Sequence, residues 1–314
     1  MGVTTQDIFG SAGGAQPATP GSYGEPPHGP FRLPDATRLG EVRLQVSDLE
    51  RSLAFYEGVL GLRALTREPG RAQLAAHAYD RVLVELHERP GARPAPSRGR
   101  LGLYHFAILL PDRASLGRFV RNVADLGVRV GAGDHLVSEA FYLQDPDNLG
   151  IEVYADRPRD TWKRIGRELV MATDPVDVPG LLRDAGEAAW AGLPAGTVIG
   201  HVHLHVGDLQ RAGAFFGDAL GFDRTVWHYP GALFFGAGGY HHHLGTNTWA
   251  GTGAQPAGDD DARLLSWTVE LPDEASASAA AESLRKGSFP AERMEGGTLT
   301  TRDPWGTEVR VRTA

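Results

Sequence analysis

His105 and His201 each stand seven residues before an aspartate, Asp112 and Asp208, that heads a helix-period stretch, and Glu152 lies on a strand-like run just after the turn sequence DPDN. Two neutral imidazoles and one carboxylate are the donor set of a non-haem iron(II) centre. They leave three positions of an octahedron open for substrate and dioxygen. His203 and His205 share the strand face of His201 by the two-residue period of a strand, so either could replace it. Glu85 and Glu308 occupy last-strand positions comparable to that of Glu152. A second group is the run GGYHHHLG. Alternation there sets His242 on one face and His241 with His243 on the other, so at least one imidazole points inward, where it could move protons near neutral pH. Tyr142 lies ten residues before Glu152, and His135 seven before that. Tyr142 reads either as a core aromatic or as a phenol that hydrogen-bonds a substrate oxygen. Trp227, His228, Tyr229 and Trp249 are candidates for the walls of a ring-binding pocket.

Internal repetition is what could bring these residues together. Asp48, Asp112, Asp208 and Asp273 each follow an alternating apolar stretch, and the residues seven positions earlier are Glu41, His105, His201 and Ser266. Aspartate before a helix accepts hydrogen bonds from its first free N–H groups, so each repeat opens strand, cap, helix. Turn signals such as DPDN, GAGG and DPWG then separate further strands. The expected architecture is α+β, with four βαβββ modules of roughly 50 residues paired into two barrel-like cups. Residues 1–36, rich in Gly and Pro, read as a flexible, disordered tail. Modules 1 and 2 fill 37–158, a connector with a helix fills 159–196, and modules 3 and 4 fill 197–314.

If His105, Glu152 and His201 share one ion, modules 2 and 3 must line one cup and modules 1 and 4 the other. A connector of roughly 40 residues can span well over about 50 Å, so the chain permits this pairing. The second cup, with Glu41 and Ser266 at the repeat position, lacks an imidazole there and is expected to be metal-free.

The chain has 314 residues, 41% hydrophobic, with a formal charge of −8, which argues against a nucleic-acid partner. It has no cysteine, so thiolate metal sites and cysteine nucleophiles are excluded. Neither a signal peptide nor an apolar span of about 18 residues is present, so a cytoplasmic protein without membrane association is expected. A homo-oligomer is left open.

The motifs GLYHFAILLPDR, GDHLVSEAFYLQDPDNLGIEVYADRPRDTW, IGHVHLHVGDL and GGYHHHLGTNTWAG resemble the vicinal oxygen chelate superfamily (glyoxalase/bleomycin resistance/dioxygenase), specifically type I extradiol dioxygenases of the catechol-2,3-dioxygenase kind. The resemblance covers about residues 39–314. It implies Fe(II), with Mn(II) as the alternative, on His105, His201 and Glu152. It further implies His242 as the acid–base histidine, with Tyr142 and, more loosely, His135 beside the substrate, and a catechol and dioxygen as reactants. The better-known members take their ligands from the third and fourth repeats, whereas here they fall in the second and third. A glyoxalase-type isomerase on zinc, nickel or manganese, or a ligand-sequestering protein of the same fold, is the rival reading.

Overall fold

The computed structural model describes residues 3–10, 14–294 and 296–314. Each repeat aspartate caps a helix. The carboxylates of Asp48, Asp112, Asp208 and Asp273 accept from the backbone N–H of Arg51, Ser115, Arg211 and Ser276, at helices Leu49–Gly58, Arg113–Asp125, Leu209–Ala212 and Glu274–Lys286. These donors have no partner within the helix itself. The third helix continues as a π-helical turn, Gly213–Ala219.

Module 2 supplies strands Arg100–Leu109, Gly131–Asp134, Ser138–Gln144 and Gly150–Asp156, and module 3 supplies Val198–His205, Asp223–Val226, Ala232–Gly236 and Leu244–Asn247. Together with the short strand Gln255–Pro256 they form one nine-stranded sheet, while modules 1 and 4 form an eight-stranded sheet. The pairing across the connector therefore holds: modules 2 and 3 share one sheet, and modules 1 and 4 the other. The two first strands of the nine-stranded sheet run antiparallel, with His105 opposite His203 and Ala107 opposite His201. This register is two-fold symmetric, so the two repeat-position histidines are diagonal neighbours at its centre. Within module 2 the last strand runs parallel to the first and sets Glu152 opposite Ala107.

Alternation decides which side chains face inward. Phe106, Ile108, Val202, Leu204, Ile151, Val153, Phe141 and Leu143 all enter the main hydrophobic core, which the helices also cover. His105, His201, Glu152 and Tyr142 sit between them in sequence and must face the other side. Burying one such aliphatic or aromatic side chain is worth about 1.5–3 kcal/mol, so a one-residue slip of any strand is strongly disfavoured. Core packing thus holds the site's register.

One expectation needs correction. Residues 14–36 are not a free tail: Gln16–Pro17 pairs with Lys163–Ile165 of the connector, and Ala18, Tyr23 and Leu33 are buried. Nearer the N-terminus, the Val3 carbonyl accepts from the Thr173 N–H, and the Thr5 hydroxyl donates to Asp174. The segment has too few apolar groups to fold on itself, but those it has dock on other parts of the chain. The connector does carry a helix, Val178–Asp184. Gly186, at φ 62°, lies just beyond its end. Among the described residues, no helix is long and apolar enough to cross a membrane.

Candidate active site

His105, Glu152 and His201 are brought together in the cup of modules 2 and 3, with one donor atom from each within 4.8 Å of the others. Glu152 Oε2 lies 3.0 Å from His105 Nε2 and 3.1 Å from His201 Nε2. All three residues are at least 95% buried, with exposures of 5%, 2% and 1%. Among the described residues, His105 Nε2 has no well-aligned hydrogen-bond partner, although the Glu152 oxygen lies 3.0 Å away. A buried imidazole nitrogen without a partner is costly, and two ring nitrogens converging on one carboxylate oxygen is an arrangement that a cation resolves. Burial pushes the His105 imidazole down, which favours the neutral, ligating form. For Glu152 burial acts upward, but His201 and His105 hold it well below the usual carboxylate range. The donor set fits a divalent first-row metal.

Beside this triad is a cavity of about 610 Å³. His135, Tyr142, His203 and His242 line its polar side, and Val3, Met171, Phe234, Tyr229 and Trp249 are among its apolar walls. Tyr142 and Glu152 are direct cross-strand partners, since the DPDN turn returns the chain in register. Asp145 holds that turn by accepting from the N–H groups of Asp147 and Leu149, each at 2.8 Å. His135 Nδ1 donates to the Ala172 carbonyl at 2.7 Å, so its Nε2 accepts the Tyr142 hydroxyl proton at 2.5 Å. Burial and the Glu152 charge raise the Tyr142 phenol well above its ordinary value, which keeps it protonated.

The histidine run is not a strand. Ala232–Gly236 ends in a bend where Gly238 and Gly239 adopt φ of 59° and 65°, and the next strand starts at Leu244. Alternation therefore does not govern residues 241–243. Of the three, His242 lines the cavity, with its ring centroid 4.1 Å from that of His201. Burial, then the neighbouring His201 and His241, push it well below the ordinary imidazole value, so it is neutral at physiological pH. His243 instead accepts from the Ala237 N–H at 3.2 Å. His203 lines the cavity but is engaged by Asn247 at 2.9 Å, and His205 meets Asn247 at 2.6 Å. Tyr229 and Trp249 reach the cavity, whereas Trp227 and His228 do not line it; their backbone N–H groups both donate to Glu168 at 2.6 Å.

Reading the sequence missed Asp156, whose carboxylate lies 2.8 Å from His241 Nε2. The signal existed, because Glu152, Tyr154 and Asp156 share one strand face by alternation. It also missed Gly200. A Cβ there would overlap the Tyr154 hydroxyl, which hydrogen-bonds Tyr240 at 2.7 Å and whose ring packs on His201. Gly200→Ala is expected to lower stability by about 1–3 kcal/mol, as overpacking does. Thermal unfolding would measure this, and an unchanged Tm would show that Tyr154 yields freely.

In the other cup, Glu41 pairs with Arg312 at 2.7 Å, while Glu85 lies 3.0 Å from Arg71 and 3.5 Å from Arg43. The carboxylates at the equivalent places are thus neutralised by arginine.

The profile of the Glyoxalase/Bleomycin resistance protein/Dioxygenase superfamily matches residues 38–153 and 198–311, the two halves on either side of the connector. The catechol-2,3-dioxygenase of Bacillus subtilis (strain 168) is 47% identical over 272 residues, covering 85% of this chain and 94% of that protein. Among solved structures, a candidate dioxygenase from Bacillus subtilis subsp. subtilis str. 168 superposes with a TM-score of 0.60 at 12% identity, covering 90% of this chain and 86% of that one. Glyoxalase I from Zea mays superposes with a TM-score of 0.52 at 18% identity, covering 88% and 92%. These two structures speak for the fold. With the family profile on both halves and this degree of identity along nearly the whole relative, the chain belongs to the glyoxalase/bleomycin resistance protein/dioxygenase superfamily, in the family of catechol-2,3-dioxygenases.

Proposed function

We propose that the protein cleaves a catechol next to its diol with dioxygen, using iron(II), or manganese(II) in its place, bound by His105, His201 and Glu152. The observation that carries this reading is the buried His–Glu–His set opening into a cavity that His242 and Tyr142 also line, His242 beside His201 and Tyr142 beside Glu152. The metal would supply adjacent positions for the two diol oxygens and for dioxygen, and a route around the spin-forbidden direct reaction.

The protein's own residues do the rest. His242, neutral and facing the cavity, takes a proton from one catechol hydroxyl and later returns it to an oxygen of the ring-opened product, which keeps both atoms of the dioxygen. Tyr142, whose O–H donates to His135, presents its oxygen lone pair as an acceptor for a substrate hydroxyl. Met171, Phe234 and Tyr229 hold the ring in place and keep water from the reacting atoms. Among the described residues, neither arginine nor lysine lines the cavity. A carboxylate substituent would have no cationic partner there, which favours uncharged catechols.

The test is oxygen uptake by anaerobically prepared, iron-loaded protein on addition of catechol, with the ring-fission product followed by its absorbance. One dioxygen consumed per catechol is expected, and faster turnover of methylcatechols than of 3,4-dihydroxybenzoate. No uptake by fully metal-loaded protein would overturn the reading.

A further inference from the structure

His242 has two ring nitrogens, and only one protonation pattern makes it a base toward the cavity. The partners around it determine which. His241 Nε2 lies 2.8 Å from Asp156 Oδ1, and His241 Nδ1 lies 2.7 Å from His242 Nδ1. An ionised carboxylate only accepts, so His241 must carry its proton on Nε2. A neutral His241 then offers a lone pair at Nδ1, which accepts the Nδ1 proton of His242. That leaves His242 Nε2 unprotonated on the cavity side.

The supports of this chain are built in. The His241 side chain is wholly buried, its ring centroid 4.1 Å from that of Tyr240 and 5.3 Å, edge-on, from that of Trp162. The Tyr240 hydroxyl donates to Asp156 at 3.3 Å, so the carboxylate is held from two sides. Thr225 donates to the His241 carbonyl at 2.6 Å and anchors the bend. Among the described residues, His242 Nδ1 has no other hydrogen-bond partner.

We propose that Asp156 and His241 are positioning residues that fix the tautomer of His242, keeping its Nε2 free to accept a substrate proton. The proposal rests on the reading of His242 as the proton acceptor. It adds that the reactivity of this histidine is set by a carboxylate two links away, on the strand that also carries Glu152. When His242 gains a proton at Nε2, the resulting charge lies one ring from Asp156, which stabilises it. Triads in which a buried carboxylate orients a histidine follow the same logic, and exchanging that carboxylate for an amide there costs about 10⁴-fold in kcat through the wrong tautomer.

The experiment combines kinetics with a direct view of the rings. In ¹⁵N-histidine-labelled protein loaded with diamagnetic zinc, nitrogen shifts should show His242 protonated at Nδ1 and His241 at Nε2. Asp156→Asn should transfer the His242 proton to Nε2 and lower kcat of the iron enzyme by about 10²-fold or more, with KM and metal content within about twofold of wild type. Asp156→Glu should recover part of the rate. His241→Phe is the second variant, should Asp156→Asn fail to fold, and the same separation of kcat from KM is expected. A wild-type His242 protonated at Nε2, or Asp156→Asn with kcat within about twofold of wild type, would overturn the proposal. Absence of any catechol turnover in wild type would sink the dioxygenase reading instead, while the tautomer pattern would still be read from the zinc-loaded protein.

Discussion

Replacing Glu152 with alanine is expected to empty the centre of metal and abolish turnover while the sheet persists. Glu152 is the sole carboxylate of the triad, and its Oε2 is the point on which His105 and His201 converge at 3.0 and 3.1 Å. Without it, two neutral imidazoles remain in a site that offers a divalent cation no compensating charge. Even losing a residue that only supports a ligand lowers affinity about 10- to 100-fold, so losing a ligand should exceed that. The flanking Ile151 and Val153 stay in the core, so circular dichroism should be unchanged. Metal analysis after anaerobic loading gives the answer. Full iron occupancy in Glu152→Ala would remove Glu152 from the ligand set, and full occupancy in His105→Ala or His201→Ala would do the same for those residues.

The parts of this centre that could be read from sequence are those that follow from local rules repeated four times. An aspartate at a fixed offset from an alternating stretch gives the cap and the strand face together. It therefore gave His105 and His201 equivalent places before any fold was known, and alternation with the DPDN turn did the same for Tyr142 and Glu152. Even the pairing of modules 2 and 3 followed, because a shared ion demands it and the connector permits it. What local rules cannot supply is contact between distant segments. Val3 and Tyr23 are placed by the connector, and Glu168 draws Trp227 and His228 away from the cavity. The histidine run failed for a different reason: Gly238 and Gly239 bend the chain, so period-two counting has no strand to act on. Its inward residue was nonetheless the one the family resemblance indicated.

That residue carries the second large effect. His242→Phe should retain one metal per chain and lose about 10²- to 10⁴-fold in kcat, the usual worth of a positioned general base. Phenylalanine keeps a flat ring against His201 and Phe234, whose centroids lie 4.1 and 5.0 Å from that of His242, so the cavity wall and the ligand beside it stay in place. His242 is not one of the three converging donor residues, and its removal would take no charge from a metal bound there. Its neutrality also sets the pH behaviour. Burial keeps the imidazole unprotonated well below its ordinary range, so the rate should not fall as the pH drops through the ordinary imidazole pKa of about 6.5, where an exposed base would be lost. Steady-state oxygen uptake with parallel metal analysis separates the alternatives. A variant that binds iron and turns over at nearly the wild-type rate would show that the proton leaves the catechol by another route, with His203 the other histidine on the cavity wall nearest the ligands.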